Sequence, residues 1–539
     1  MSLTKVSYSM ITASPVNVFD FLSEAQKVDV LAGTATIDCA IQIQAAMTYA
    51  WQNQLELYVP GGTYLLNSIN GNFDSKDFAL YLNNGFAGPY QYQPFRMRGA
   101  GRWVTKFIVK NNVGIDVALG LIFNGESYSL SDIGISCESA SAAYACFQNG
   151  GAGPNVVDRC WAGGADIGFY QKGGAVEYND CDSEYANASG FFIYNTFNTV
   201  LDKCTALTAT LYGVRIFQDS SAAQEPYQSL AGIFISNSCF QQSASAAGIG
   251  GLFDIDPNTG TNIGVVNTIF GNNGFSTGGG GQPNNQYGII IEQCSNISFT
   301  NCQFALNKFG NIVGDARNVS FTNCSFSLTG FLLTAGTGTN WECADLAIST
   351  SSNSFPTNVT IVGCTFQDSA GYAIKGNSYT SITMIGNTFN NCANGGLNSS
   401  GVRVNLTSAT VGDSYVYLIP SAAASSFKFI GNNITNDASY VTGRFGIKIN
   451  AATAVPAAGN VQIIGTTLAG ALGTNYSYAT ATALQANAWY IFNDKLATST
   501  PQNFPSVADA NAPNSTLYYS TTASKLVWKD SAGAVNNLY

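Results

Sequence analysis

Of the side chains able to do chemistry, imidazole is missing altogether: the 539-residue chain has no histidine. That removes the general base of most catalytic triads and the commonest ligand of zinc, iron and copper sites. Chemistry must then run on Asp, Glu, Tyr, Lys, Arg or Cys. The acids that stand out are Asp254 and Glu292, each four residues after a glycine, Gly250 and Gly288, that opens the same short phrase. If these phrases are successive strands of one stacked sheet, the two carboxylates lie about 4.8 Å apart and repel unless one keeps its proton. A carboxyl held protonated in this way is what a general acid needs. Direct stacking falls near the ~5 Å separation of retaining glycosidases, whereas splayed side chains suit the wider inverting gap. Asp219, Glu225 and Asp256 are neighbouring alternatives, Glu225 within an inserted segment 219–230.

The same glycine alignment sets other residues in columns. Two places after the glycine stand Tyr170, Phe192, Arg215, Leu252 and Ile290; four places after it stand Lys172, Tyr194, Phe217, Asp254 and Glu292. Exposed aromatics on successive strands, here Tyr170, Phe192, Tyr194 and Phe217, suit stacking on the apolar faces of sugar rings, and Arg215 could hold an acidic group. The competing reading is that these side chains pack against a loop or a neighbouring subunit. Other motifs fail. Gly278 to Gly281 lacks the Lys-Ser/Thr of a phosphate loop, and Arg98 to Trp103 lacks the third glycine of a dinucleotide site. Asp254 to Asn258 lacks the glycine and terminal glutamate of an EF-hand loop. No metal and no cofactor is expected.

What must position these residues is an internal repeat. A phrase of two apolar residues two apart, then Gly, Asn or Asp, then Cys, Asn or Thr, recurs as VEYNDC at 176–181, ISFTNCQF at 297–304, VSFTNCSF at 319–326, VTIVGCTF at 359–366 and ITMIGNTF at 382–389. Cys160 to Cys181 is 21 residues, Cys181 to Cys204 is 23 and Cys302 to Cys324 is 22. Longer gaps fit loop insertions, which repeat architectures tolerate because each coil touches mainly its neighbours. The residue before the Cys-like position is Asp180, Asn267, Asn301, Asn323, Gly363, Gly386, Gly431 or Gly465, the types that most readily enter the left-handed region and bend the chain. Strand, bend, strand, turn, strand makes one coil of a parallel β-helix, an all-β solenoid. Cysteines 137, 160, 181, 204, 239, 302, 324 and 364 fall on or near one column and read as buried free thiols rather than a disulfide framework.

Composition agrees. Charged residues are 10 % of the chain, 56 residues are glycine, and the net charge is −10 with no basic run, so nucleic acid is not an expected partner. No apolar run reaches the ~18 residues of a membrane span, and the N-terminus lacks the pattern of a signal peptide. Thr36 to Ala46 predicts an amphipathic helix capped by Thr36 and closing the open end of the solenoid. After about residue 475 the phrase is lost, and STLYYSTTASKLVWKDSAGAVNNLY reads as a separate β element.

Pro15 to Phe21, the Thr36–Ala46 segment, Leu57 to Tyr64 (LYVPGGTY) and Arg98 to Gly101 (RGAG) together resemble the opening of pectate-lyase-like phage tailspikes, and LTKVSYSMI and LYYSTTASKLVWKD resemble the ends of tail fibre and tailspike proteins. The pattern departs at Leu22 and Ser23, where that family commonly has Gly-Ala. The resemblance implies a homotrimeric right-handed parallel β-helix, attached to a phage tail or adaptor protein by its N-terminus. It would bind, and often cleave, bacterial O-antigen or capsular polysaccharide, and its place would be the virion tail at the host surface. The divisions expected are 1–20 for virion attachment, 21–130 for the cap and first turns, 131–475 for the β-helix body and 476–539 for a C-terminal β trimerisation element. A non-enzymatic receptor-binding protein of the same fold and a polysaccharide lyase are the alternatives.

Overall fold

The computed structural model describes residues 14–83, 93–110, 114–123, 127–138, 144–151, 154–196, 198–218, 232–241, 248–255, 262–271, 287–307, 309–329, 344–349, 358–377, 379–393, 414–420, 425–436, 445–450, 460–469, 474–478, 491–492, 495–496, 506–512, 514 and 516–537. Among them are two α-helices, α1 (Glu24–Ala32) and α2 (Ala40–Gln52), and otherwise almost only strands. The chain divides into two compact units, residues 1–312 and 313–539.

In the first unit each coil contributes three short strands. Pro154–Asp158, Trp161–Gly163 and Ile167–Lys172 are followed by Ala175–Asn179, Asp182–Glu184 and Ser189–Tyr194. Each of the first three pairs in parallel with its counterpart one coil on, in the register Val157↔Tyr178, Ala162↔Ser183 and Phe169↔Phe191. The result is a parallel β-helix walled by three sheets. In-register stacking sets like residues above one another: Phe147, Phe169 and Phe191 stack face to face with ring centroids 4.8 and 4.9 Å apart inside the third sheet. The second unit repeats the plan with Asn358–Val362, Thr365–Gln367 and Ile374–Asn377. Its inner ladder is Phe326, Phe366 and Phe389, at 4.7 and 4.9 Å. Parallel pairing continues past residue 475, through Ile463↔Ile491 and Leu468↔Leu496. Residues 506–537 then form a four-stranded sheet around Ala512, Tyr518 and Val527.

The bend between first and second strands follows the sequence. Asp180, Asn267, Asn301, Asn323, Gly363, Gly386, Gly431 and Gly465 all have φ between 49° and 64°. The residue after the bend turns inward and plugs the backbone of the neighbouring coil. Cys181 Sγ donates to Val157 O at 3.4 Å, and Cys302 Sγ to Val265 O at 3.4 Å. In the second unit, Asn387 accepts from Cys364 N at 2.8 Å and donates to Ile361 O at 3.0 Å. A small side chain with one donor and one acceptor is what this buried corner needs, hence Cys, Ser, Thr or Asn there. The twelve described cysteines are free and, apart from half-buried Cys239, buried. Two leave the column. Ser238 holds the corner and accepts from Cys204 N at 3.0 Å, leaving Cys239 in the following strand in register with Thr205. Cys137 ends the strand Gly134–Cys137 and meets Cys146 with Sγ atoms 3.8 Å apart.

The N-terminal helices differ from expectation. α2 begins at Ala40 with no side-chain cap from Cys39. Thr36 is not a cap, because its N–H donates to Asp29 Oδ2 at 2.9 Å and ties the connection to α1. Asp29 also accepts from Ile37 N at 3.0 Å and from the hydroxyls of Thr34 and Thr36. Although burial opposes it, these donors pull the Asp29 pKa down to about 2. α1 has no counterpart among the sequence expectations. It starts at Ser23, one of the two positions that depart from the tailspike pattern, where Ser23 and Gln26 form a reciprocal capping box. The buried face of α2, Ile43, Ala46, Met47 and Ala50, lies against the strands Glu56–Val59, Lys76–Asn83 and Phe95–Gly99.

Candidate functional site

The third sheet of the first unit positions the residues singled out above. Its strands Ile167–Lys172, Ser189–Tyr194, Tyr212–Phe217, Ile249–Asp254 and Tyr287–Glu292 pair in unbroken register. One outward column therefore runs Tyr170↔Phe192↔Arg215↔Leu252↔Ile290 and the next Lys172↔Tyr194↔Phe217↔Asp254↔Glu292. The glycines that open these strands are required by space. A Cβ at Gly190 would stand 2.7 Å from Gly213 O, and one at Gly213 would stand 2.7 Å from Gly250 O.

The aromatic residues form a continuous surface. Tyr170 stacks on Phe192 at 5.4 Å, Phe192 meets Tyr194 at 5.9 Å, and Tyr194 stacks on Phe217 at 5.8 Å with planes 13° apart. Tyr170 is only 8 % exposed, contrary to the expectation of an open ring. Tyr144 covers it edge-on at 5.5 Å, and Phe78, Val117, Ala145 and Ile167 join it in an outer apolar cluster. Leu252 and Ile290 are likewise buried. The open part of the ladder is therefore Phe192, Tyr194 and Phe217, all half-buried.

Sequence reasoning missed Tyr144, Phe73 and Tyr81, which pack against this cluster, and Lys76, whose Nζ stands 4.0 Å above the Tyr144 ring. Tyr81 belongs to the same column through Tyr81↔Gly120↔Gln148↔Tyr170. The early coils lack the opening glycine, so only counting register backward from Tyr170 finds it.

Arg215 lies where the two columns meet the acids. Its guanidinium is 4.7 Å from the Phe192 centroid, 5.1 Å from Phe217 and 5.3 Å from Tyr212. Asp254 follows one coil on, its Cα paired with that of Glu292. Backbone bonds fix both residues, Gln218 N–H donating to Asp254 O at 3.1 Å and Ile255 N–H to Glu292 O at 3.3 Å. Asp254 is half-buried and Glu292 exposed. Desolvation raises the pKa of Asp254 above the ordinary carboxylate value, and the Arg215 charge partly opposes that rise. Two carboxyls one coil apart, in different solvation, are an arrangement that can divide acid and base roles. Asp219, Glu225 and Asp256 lie outside the described residues. Among the described residues no cluster of three His, Cys, Asp or Glu could hold a metal, and no helix is long and apolar enough to cross a membrane.

No protein-family model matches the chain, and no curated protein matches it in sequence. Among solved structures it is similar to the catalytic unit of a thermostable GH87 alpha-1,3-glucanase from Streptomyces thermodiastaticus, with TM-score 0.41 and 11 % identity over 72 % of this chain and 65 % of that one. It is similar to tailspike protein 3 of bacteriophage CBA120, with TM-score 0.40 and 11 % identity over 97 % and 69 %. It is also similar to the A-module of a mannuronan C-5 epimerase of Azotobacter vinelandii, with TM-score 0.42 and 13 % identity over 85 % and 98 %. The β-helix stands on the chain's own strand register.

Proposed function

We propose that this chain is a phage tailspike that binds bacterial surface polysaccharide, O-antigen or capsule, on the third sheet of its first unit and hydrolyses it there. The observation that carries the reading is the pairing of Asp254 with Glu292 at the end of an aromatic ladder, beside Arg215. Phe192, Tyr194 and Phe217 would bear sugar rings, with Tyr170 behind them as support. Asp254, raised by desolvation, would protonate the glycosidic oxygen, and exposed Glu292 would act as nucleophile or as base for water. The opening and closing segments that resemble tailspikes support a homotrimer of right-handed coils carried on the virion tail. Residues 1–20 would then attach to the tail or an adaptor protein, α2 within 21–130 would cap the coils, 131–475 would form the body, and 476–539 would hold the trimer together.

Incubation of the purified chain with host surface polysaccharide tests this, with product size as the readout. Shortened oligosaccharides from the wild type, and intact polymer from both Asp254→Asn and Glu292→Gln, are expected. Intact polymer under saturating wild-type binding would make the chain an adhesin, and products absorbing in the ultraviolet would make it a lyase. Wild-type product from both variants would reject the pair.

A further inference from the structure

Arg215 is a cation of this face that is held by aromatic rings rather than by a carboxylate among the described residues. Among the described residues it forms no ion pair, and its Nε is buried with no hydrogen-bond partner. The contrast within the same unit is direct: Arg98 binds Glu56 at 2.8 Å, Arg102 binds Asp182 at 3.0 Å, Arg159 binds Asp132 at 2.8 Å, and Lys172 binds Asp74. Instead Arg215 rests on the rings of Phe192, Phe217 and Tyr212, at 4.7 to 5.3 Å. Contact with those rings fixes the plane of the guanidinium without satisfying its N–H edge. A partly desolvated guanidinium held by ring faces is a pre-oriented fork whose geometry matches a carboxylate in two parallel hydrogen bonds.

Resting on the polysaccharide reading above, we propose that the ligand is an acidic polysaccharide, and that Arg215 binds the carboxylate of an acidic sugar seated between the Phe192–Phe217 rings and the Asp254–Glu292 pair. The overall charge of −10 makes the protein as a whole repel a polyanion, so recognition must be local and short-ranged. Lys76 over Tyr144 adds a second positive group farther along the same ladder.

The test measures binding of the full-length chain to an array of bacterial surface polysaccharides, neutral and carboxylated. The best ligand is then measured again after chemical reduction of its carboxyls to alcohols. Carboxylated polymers are expected to bind best, with reduction weakening the best of them about tenfold to a hundredfold. Arg215→Met, which keeps the apolar stem, should lose the same factor on the native polymer and become indifferent to reduction, whereas Arg215→Lys should fall between. Thermal melting shows whether the variants fold, and the reduction arm needs no variant. A neutral best ligand, or undiminished binding after reduction, overturns the acidic-substrate inference and leaves the polysaccharide site standing. Binding to no polysaccharide at all rejects both.

Discussion

Replacing Asp345 by asparagine should make the second unit more stable at neutral pH. Asp345 is fully buried beside Ser369, whose hydroxyl donates to Oδ2 and lies 3.7 Å from Cys392 Sγ. Burial lifts its pKa from 3.8 to about 7 against the pull of the Ser369 and Thr329 hydroxyls. A carboxyl whose pKa is raised on folding binds its proton more tightly in the native state. Its contribution is therefore most favourable below pH 4, declines as pH rises toward 7, and is flat above that. At about 1.4 kcal/mol per pH unit, the rise corresponds to about 4 kcal/mol withheld at pH 8. An amide in place of the carboxyl would keep the shape and carry no charge at any pH. Urea unfolding of wild type and Asp345→Asn between pH 4 and 8 would read the difference, which cancels the titration of other groups. The variant should gain steadily on the wild type from pH 4 to 7, by up to about 4 kcal/mol. Parallel curves across that range, or a variant less stable at pH 8, would refute the reasoning.

Arg215→Met should move the alkaline limb of the depolymerisation pH profile upward, because the cation holds the Asp254 pKa down and its loss lets desolvation act unopposed. Asn387→Ala should cost about 2–4 kcal/mol in chemical unfolding, since Cys364 N–H and Ile361 O both lose a buried partner, whereas Asn387→Cys, the residue type of the adjacent coil, should cost less. Phe366→Ala should cost about 3–5 kcal/mol by opening the ladder between Phe326 and Phe389. Gly213→Ala should destabilise because its Cβ would sit 2.7 Å from Gly250 O, while Gly386→Asn, with open space and φ 64°, should be tolerated; thermal melting separates the two.

The parts of this molecule that are legible in the sequence are those with a one-residue steric cause. Asn301 or Gly386 at a bend and Gly190 under a neighbouring carbonyl each announce their geometry alone, and aligning Gly250 with Gly288 then places Asp254 over Glu292. What escapes depends on partners distant in sequence. Thr36 looks like a helix cap until Asp29, seven residues earlier, claims its N–H. α1 has Val28 and Leu31 exposed, so its apolar pattern is weak and only the Ser23–Gln26 box marks it. Cys239 looks like a corner residue only because Ser238 does the same job with oxygen in place of sulfur. Tyr170 looks open in the sequence because its cover, Tyr144, comes from the preceding coil.

Stacking with a fixed register treats apolar and charged columns oppositely. Phenylalanine on phenylalanine inside the coils is favourable, whereas like charges on adjacent strands are destabilising. The first unit avoids that penalty where it is only building a wall. At the bends of four successive coils stand Asp132, Arg159, Asp180 and Lys203, alternating in sign, with Arg159 binding both oxygens of Asp132 at 2.8 Å. On the third sheet the alternation fails: Asp254 is followed by Glu292, and the cation on the preceding strand, Arg215, lies one column over against aromatic rings. Sequences depart from local consistency chiefly where function requires it. A chain that alternates charge down one edge has the means to do so down another, so a like-charged pair beside a guanidinium that makes no ion pair among the described residues is the place where, on the reading proposed above, an incoming ligand would supply a partner.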